Sequence, residues 1–315
     1  MKITTVCVLG GTGFVGRHLC ARLIRAGYRV RIPARRRERH RDLLVLPGLE
    51  LIEADVHDPQ ALAQTFSGSQ AVVNLIGILN ERGHRGLGFQ HAHVELARKV
   101  VDACQANGVH RLLHMSALGA DATADTSFYL RSKAEAETLA HTLSGPELAV
   151  TSFRPSVIFG PEDSFLNRFA GLLRSVPGVF PRACPEARFQ PVYVGDVADA
   201  FVEALNAPET HGRRYELCGP RVYTLRELVS YTARLLGLRR LVLGLPDWAA
   251  RLQANVLEYA PGKPFSRDNY RSLQRDSICT EGAPSCPTSL EAIAPAYLGD
   301  AEHQSRMQRL RESER

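Results

Sequence analysis

No run in this 315-residue chain approaches the roughly 20 consecutive apolar residues that a helix needs to cross a bilayer. The N-terminus lacks a basic stretch leading into an apolar one, lacks a small-residue cleavage site, and opens directly on the strand-like run Ile3 to Leu9. Seven cysteines, at positions 7, 20, 104, 184, 218, 279 and 286, form no CxxC pair. Their odd number and wide spacing argue against a disulfide framework or a zinc site and for a reducing, cytoplasmic setting. Basic stripes interleaved with aromatics are missing, so nucleic acid is not an expected partner, although the net charge is +6. Much of that surplus is one cluster, eight arginines between Arg25 and Arg41, with Glu38 inside the run and Asp42 just beyond it. His84, His91 and His93 lie close together, but their spacing fits no common ligand motif and no acid or cysteine completes a set. A solvated group is expected there, and no metal.

What is present is an ordinary globule, 44% hydrophobic and 23% charged, long enough for one large domain or two coupled ones. Strand and helix signals alternate through the first half. Val6 to Leu9, Arg29 to Ile32, Leu49 to Glu53, Ala71 to Ile76, Arg111 to Met115 and Val150 to Arg154 read as strands. The stretch from Val15 to Ile24, Gln90 to Ala106 and the region around Tyr129 to Thr142 carry helical spacing. This is the pattern of an α/β fold, a doubly wound parallel sheet with helices on both faces. After residue 155 prolines break the rhythm, with further helices expected at Asp196 to Asn206 and Leu225 to Leu236. The expected organisation is a first domain over 1–155 with 191–206 returning to it. A smaller lobe over 156–190 and 207–302 should pack on the carboxyl ends of the strands, and a polar tail over 303–315 should fray.

The strongest chemical signal is the loop Gly10-Gly11-Thr12-Gly13-Phe14-Val15-Gly16, which follows a strand and opens a helix. A dinucleotide site needs a tight turn at Gly10, close backbone approach to pyrophosphate at Gly13 and close helix packing at Gly16. The amides of Thr12, Phe14 and Val15 then face the phosphates. At the end of the second strand an acid would take the ribose hydroxyls of NAD, while arginine accommodates the 2′-phosphate of NADP. The chain has Arg35 and Arg36 there and no acid before Glu38, so NADP(H) is favoured over NAD(H).

With these glycines spaced GxxGxxG, the chain resembles the extended branch of the short-chain dehydrogenase/reductase superfamily. Glu53-Ala54-Asp55-Val56 is similar to the segment in which the aspartate meets the adenine. Asn74-Leu75-Ile76-Gly77 is similar to the turn that closes under the cofactor, and Tyr129-Leu130-Arg131-Ser132-Lys133 matches YxxxK. Arg154-Pro155-Ser156-Val157-Ile158-Phe159-Gly160-Pro161 resembles the element beside the nicotinamide, and Pro191 to Ala198 the segment that returns to the core. The resemblance thus implies cofactor contacts at Asp55, Val56, Asn74, Gly77, Lys133 and Pro155. Within the superfamily the chain is similar to the group containing the NADPH-binding accessory subunit of mitochondrial complex I and its bacterial relatives. That likeness rests on Ile32-Pro33-Ala34-Arg35, on the stretch from Tyr129 to Glu137, on Pro261 to Tyr270 and on Pro287 to Ala292. It implies retained nucleotide binding and association with a respiratory complex or a membrane surface, with or without turnover.

In YxxxK the two residues share one helix face, and the Lys133 ammonium is expected to lower the pKa of Tyr129 for proton exchange with a carbonyl or alcohol. Ser116, at the end of the preceding strand, is the third catalytic candidate, or a hydroxyl satisfying backbone groups there. The superfamily's hydroxyl often lies further on, where this chain has Ala117 and Leu118. Two classes of function stay open: an oxidoreductase for an apolar carbonyl or quinone-like compound, and a catalytically silent accessory or assembly protein. A sugar-nucleotide epimerase or dehydratase is a third variant. Phe159, Phe165, Phe169, Leu172, Leu173, Val179 and Phe180 would line the substrate region or form the core of the second lobe. The segment 241–259, with Trp248 and flanking arginines, would act as a lid or lie at a membrane surface.

Overall fold

The computed structural model describes residues 2–123, 127–260 and 263–299, so the expected tail at 303–315 and the Pro261-Gly262 pair fall outside it. The chain divides into two compact units, Met1–Pro155 with Val197–Glu216, and Ser156–Asp196 with Leu217–Arg315. The returning segment therefore reaches further than 206, because Arg214–Leu217 is an edge strand of the first unit's sheet.

The first unit is built on strands that are apolar on both faces, as parallel strands covered by helices must be. It runs β1 (Thr5–Leu9), α1 (Phe14–Arg25), β2 (Arg29–Ala34), β3 (Leu49–Glu53), α2 (Pro59–Phe66) and β4 (Ala71–Asn74). Next come α3 (Leu87–Phe89), a π-helical turn over Gln90–Glu95, α4 (Leu96–Ala106), β5 (Arg111–Met115), α5 (Phe128–Leu143) and β6 (Ala149–Pro155). The sheet has seven strands in the order Arg214–Leu217, β6, β5, β4, β1, β2, β3. All pairings among β1 to β6 are parallel. The order reverses between β1 and β4, where Leu9 pairs with Asn74. Such a reversal leaves the crevice in which doubly wound sheets bind ligands.

Local causes are visible. Asp58 caps α2 through the Gln60 amide, with Pro59 at the first helical position. Ser127 caps α5 through the Leu130 amide. β4 ends at Asn74 and not at Ile76, because the Asn74 side chain accepts the Ile76 N–H and turns the chain. Behind the sheet, buried Glu137 of α5 takes both nitrogens offered by Arg154 of β6 (2.8 and 2.6 Å) and Arg214 Nε (2.6 Å). That network ties helix, strand and edge strand together.

The second unit gathers Phe159, Phe169, Leu173, Phe180, Phe189, Tyr223, Leu225 and Leu228 into one buried cluster, with the helices Leu166–Ser175 and Leu225–Leu235 around it. Four of the residues considered for the substrate region are thus core. Phe165 and Leu172 pack against that core, and Val179 is exposed. Contrary to the expectation from cysteine spacing, Cys218 and Cys279 form a disulfide; the other five cysteines are free. The bond spans 61 positions of sequence, a separation at which spacing carries no pairing signal.

Candidate functional site

The loop from Gly10 to Gly16 is shaped by what it cannot hold. Gly10 sits at φ +78°, and the Gly13 amide donates to its carbonyl (3.0 Å). A Cβ on Gly16 would collide with the Gly10 carbonyl and stand 2.6 Å from Gly11 Cα, so no larger residue fits between helix and strand. Gly13 is the N-cap of α1 and contributes no side chain, and no acid lies in the first turn. The amides of Phe14 and Val15 therefore open onto a backbone cradle with the positive end of the helix behind it. The cradle fits a pyrophosphate. Thr12 is tied through its carbonyl to Arg17 Nε (3.1 Å), and Arg17 also pairs with Asp42.

Arg35 and Arg36 follow β2 and are exposed, with no ion pair to any described residue. The nearby acids are already engaged: Glu38 by Arg41, Asp42 by Arg17, and Glu53 by the Arg37 amide. Asp55, after β3, is exposed and accepts the His57 N–H (3.0 Å), while Val56 packs against the core. Asn74 is buried, with its amide nitrogen 3.4 Å from His114 Nδ1. Pro155 is buried at the end of β6, and its carbonyl accepts the Leu118 N–H (2.9 Å).

Lys133 comes up from α5 under the β4 turn. Its ammonium donates to the carbonyls of Met115 (3.0 Å) and Ile76 (3.5 Å), and a Cβ on Gly77 would stand 3.0 Å from Nζ. Burial pulls its pKa down to about 8. Tyr129, one turn earlier, meets the rings of Phe89 and His93 edge-on at 6.0 and 5.8 Å, and burial pushes its pKa up to about 12. The lysine thus does not depress the tyrosine in this structure: its charge is taken by two backbone carbonyls, and burial governs the phenol.

His93 departs furthest from expectation. It is buried, not solvated, and it belongs to the π-helical turn. The Ile78 amide donates to its Nε2 (3.1 Å), and its Nδ1 lies 2.8 Å from Ser132 Oγ, which donates in turn to the Tyr129 carbonyl (2.9 Å). With Nε2 accepting, Nδ1 carries the hydrogen, and burial together with the Lys133 charge keeps the ring neutral. A π-turn inserts one residue into a helix and re-aims the side chains it carries. The sequence signal was present but weak: His93 falls four residues from both Phe89 and Ala97 on the buried stripe. His91 is exposed, paired with Glu95 and stacked on His57, and His84 is exposed.

Ser116 is buried, and its amide donates to Phe153 O (2.7 Å). Its hydroxyl lies beside Glu137, one turn past Lys133. Burial works against that carboxylate, yet hydrogen bonds from Arg154 and Arg214 outweigh it and hold Glu137 ionised, while the nearby Ser116 hydroxyl has no hydrogen-bond partner among the described residues. Lys133 is therefore brought against Gly77, Tyr129 packs beside Phe89 and His93 one turn earlier, and the Ser116 hydroxyl lies near Glu137.

Residues 6–218 match the NAD dependent epimerase/dehydratase family. The chain is 31% identical over 285 residues to NADH dehydrogenase [ubiquinone] 1 alpha subcomplex subunit 9 of Dictyostelium discoideum, covering 88% of this chain and 77% of that one. It is 30% identical over 259 residues to the NADH-ubiquinone oxidoreductase 40 kDa subunit of Neurospora crassa, covering 81% of this chain but only 66% of the relative. A ceramide reductase of Caulobacter vibrioides is 30% identical over 247 residues, covering 77% of this chain and 74% of that enzyme. Among solved structures, MoeE5 in complex with UDP-glucose and NAD aligns with a TM-score of 0.68 at 20% identity, over 96% of this chain and 99% of that one. That likeness shows the Rossmann-type fold. The chain belongs to the NAD dependent epimerase/dehydratase family, an NAD(P)-binding branch of the short-chain dehydrogenase/reductase superfamily.

Proposed function

We propose that this chain is an NADP(H)-dependent reductase of an apolar carbonyl or quinone-like compound, with Tyr129 as its proton donor. The observation that carries the reading is the seating of Lys133 against Gly77, Met115 and Ile76 with Tyr129 one turn away on the same helix. The dinucleotide, when bound, supplies a hydride to the carbonyl carbon. Tyr129 delivers the proton to the carbonyl oxygen and recovers it from solvent; its raised pKa keeps it protonated until charge develops on that oxygen. Lys133 holds the helix face in place through the carbonyls of Met115 and Ile76. His93 and Ser132 brace the backbone that carries Tyr129.

The preference for NADP(H) over NAD(H) rests on Arg35 and Arg36, exposed beyond β2 with no acid engaging them. A ceramide reductase among the relatives supports reduction of an apolar compound. The mitochondrial subunits support a second reading, a nucleotide-binding accessory protein of a respiratory complex. The placement of Ser116 near Glu137, with Ala117 and Leu118 where the superfamily's hydroxyl often lies, favours that reading too. For either role we propose a setting at or near a membrane surface, which the respiratory-complex subunits among the relatives support.

Tyr129→Phe separates the two. NADPH oxidation should be followed against short-chain quinones and other apolar carbonyl compounds. The reductase reading expects turnover that falls by about 10²-fold in the variant, with NADPH affinity kept. Nucleotide bound tightly with no turnover of any carbonyl establishes the accessory reading instead.

A further inference from the structure

We infer that the second unit carries a docking face for an anionic lipid bilayer, formed by the strand Leu241–Gly244 and the helix Asp247–Leu257. The helix is inverted relative to an ordinary surface helix. It buries its alanines, Ala250 and Ala254, and turns Trp248, Leu252 and Val256 to solvent at four-residue intervals, with Tyr259 just beyond. Trp248 is 70% exposed and Tyr259 72%. The strand repeats the inversion: Leu241 and Leu243 point out while Val242 points in, and Val179, paired with Leu241 on the neighbouring strand, is also exposed. Seven of the twelve exposed large apolar residues among the described residues are these. Scattered apolar residues on a surface are normal, whereas a grouped set marks a contact.

Charge decides the occupant. From Arg239 to Arg275 the sequence holds seven basic residues and three acids. Two of those acids are neutralised inside the unit: Asp247 pairs with Arg251 and accepts the Tyr270 hydroxyl, and Glu258 is buried against Arg267. Arg239 and Arg271 remain exposed at either end. Exposed aromatic and leucine side chains in a segment rich in arginine suit the boundary between acyl chains and anionic headgroups, where ring and guanidinium each find a matching layer. The inference does not depend on whether Tyr129 turns over a substrate.

Trp248 is the only tryptophan, so its emission reports the face directly. The full chain is titrated with vesicles of phosphatidylcholine alone and of phosphatidylcholine with 30% phosphatidylglycerol, chosen as a probe composition. The expected result is a blue shift and co-sedimentation with the anionic vesicles at low salt, weakened by high salt and by zwitterionic lipid. Leu252→Ser with Val256→Ser should weaken binding by about tenfold or more. Arg239→Glu should weaken it by about fivefold or more. Both changes lie at exposed positions, and an unaltered thermal transition checks that the fold is intact. No shift in anionic vesicles, or equal binding by the leucine and valine variant, overturns the inference. A blue-shifted Trp248 in lipid-free protein that sediments as a dimer overturns it in favour of self-association. Binding to detergent-solubilised membrane proteins without binding to protein-free vesicles overturns it in favour of a protein partner.

Discussion

The two units solve opposite problems. Among the described residues, fifteen of the twenty buried polar ones belong to the first unit, among them Asn74, His93, Arg111, Lys133 and Glu137, most of them bonded to backbone or to one another. Its exposed large apolar residues among those described are Leu44, Val45, Leu79 and Leu87. Among the described residues the second unit buries five polar residues, closes a disulfide, and exposes eight large apolar side chains, five of them on the strand Leu241–Gly244 and the helix Asp247–Leu257. Buried polar groups are costly unless held in fixed pairings, so they collect where geometry must be exact to a fraction of an ångström. Exposed apolar groups are costly unless something covers them. The first unit is organised for a small ligand and its chemistry, the second for a large surface.

The largest expected effect strikes the first unit's network. Glu137→Ala leaves Arg154 and Arg214 facing each other without their acid and should cost about 3–5 kcal/mol, read by urea unfolding. A loss below about 1 kcal/mol would show that the network is solvated and that the contrast in polar burial is weaker than drawn. The matching change in the second unit is Cys218→Ser with Cys279→Ser, expected to cost about 2–4 kcal/mol. Unreduced denatured wild-type protein should present five reactive thiols out of seven cysteines, and a count of seven would remove the cross-link.

Acid should strike the first unit selectively. His93 and His114 are held neutral by burial, at about 2 and about 3, below the ordinary 6.5. A group whose pKa is depressed on folding binds its proton more readily in the unfolded chain, so stability is present above 6.5 and is lost as pH falls below it. Each residue should remove roughly 2 kcal/mol between pH 6.5 and 5. Proton uptake on unfolding, followed from pH 7 to 5, checks this; His141, held at about 4, adds to it, and His93→Gln should lower the uptake by about one proton. Lys133 works in the opposite range: held at about 8, it gives stability that rises as pH climbs from 8 towards its ordinary 10.5.

The first unit was also the more legible in sequence, and for the same physical reason. Glycines forced by close packing, as at Gly16 under Gly10, are unmistakable because no other residue fits. β5 falls where its apolar run placed it, since a strand covered on both faces has little freedom in composition. β3 keeps its bounds because its alternation of leucine and glutamate marks one buried face. The π-turn and His93 were missed because a histidine in a helical stripe looks the same whether solvated or buried, and only the partners Ile78 and Ser132 decide. The Arg214–Leu217 strand was missed because four residues at a sheet edge carry almost no periodicity. In the second unit, Phe159 and Phe180 could be read as a pocket lining or as core, because composition does not say which way a ring points. The inverted helix was legible as apolar content, while its exposure was not.

The central claim is that the first unit holds NADP(H), with Arg35 and Arg36 at the 2′-phosphate, and binding titrations of NADPH and NADH test it most directly. Wild-type protein should bind NADPH more tightly. Arg35→Ala with Arg36→Ala should weaken NADPH alone by about 1–3 kcal/mol, the scale of lost charge-assisted hydrogen bonds, and leave NADH unchanged. Tighter binding of NADH by the wild type, or equal weakening of both nucleotides in the variant, would contradict the account.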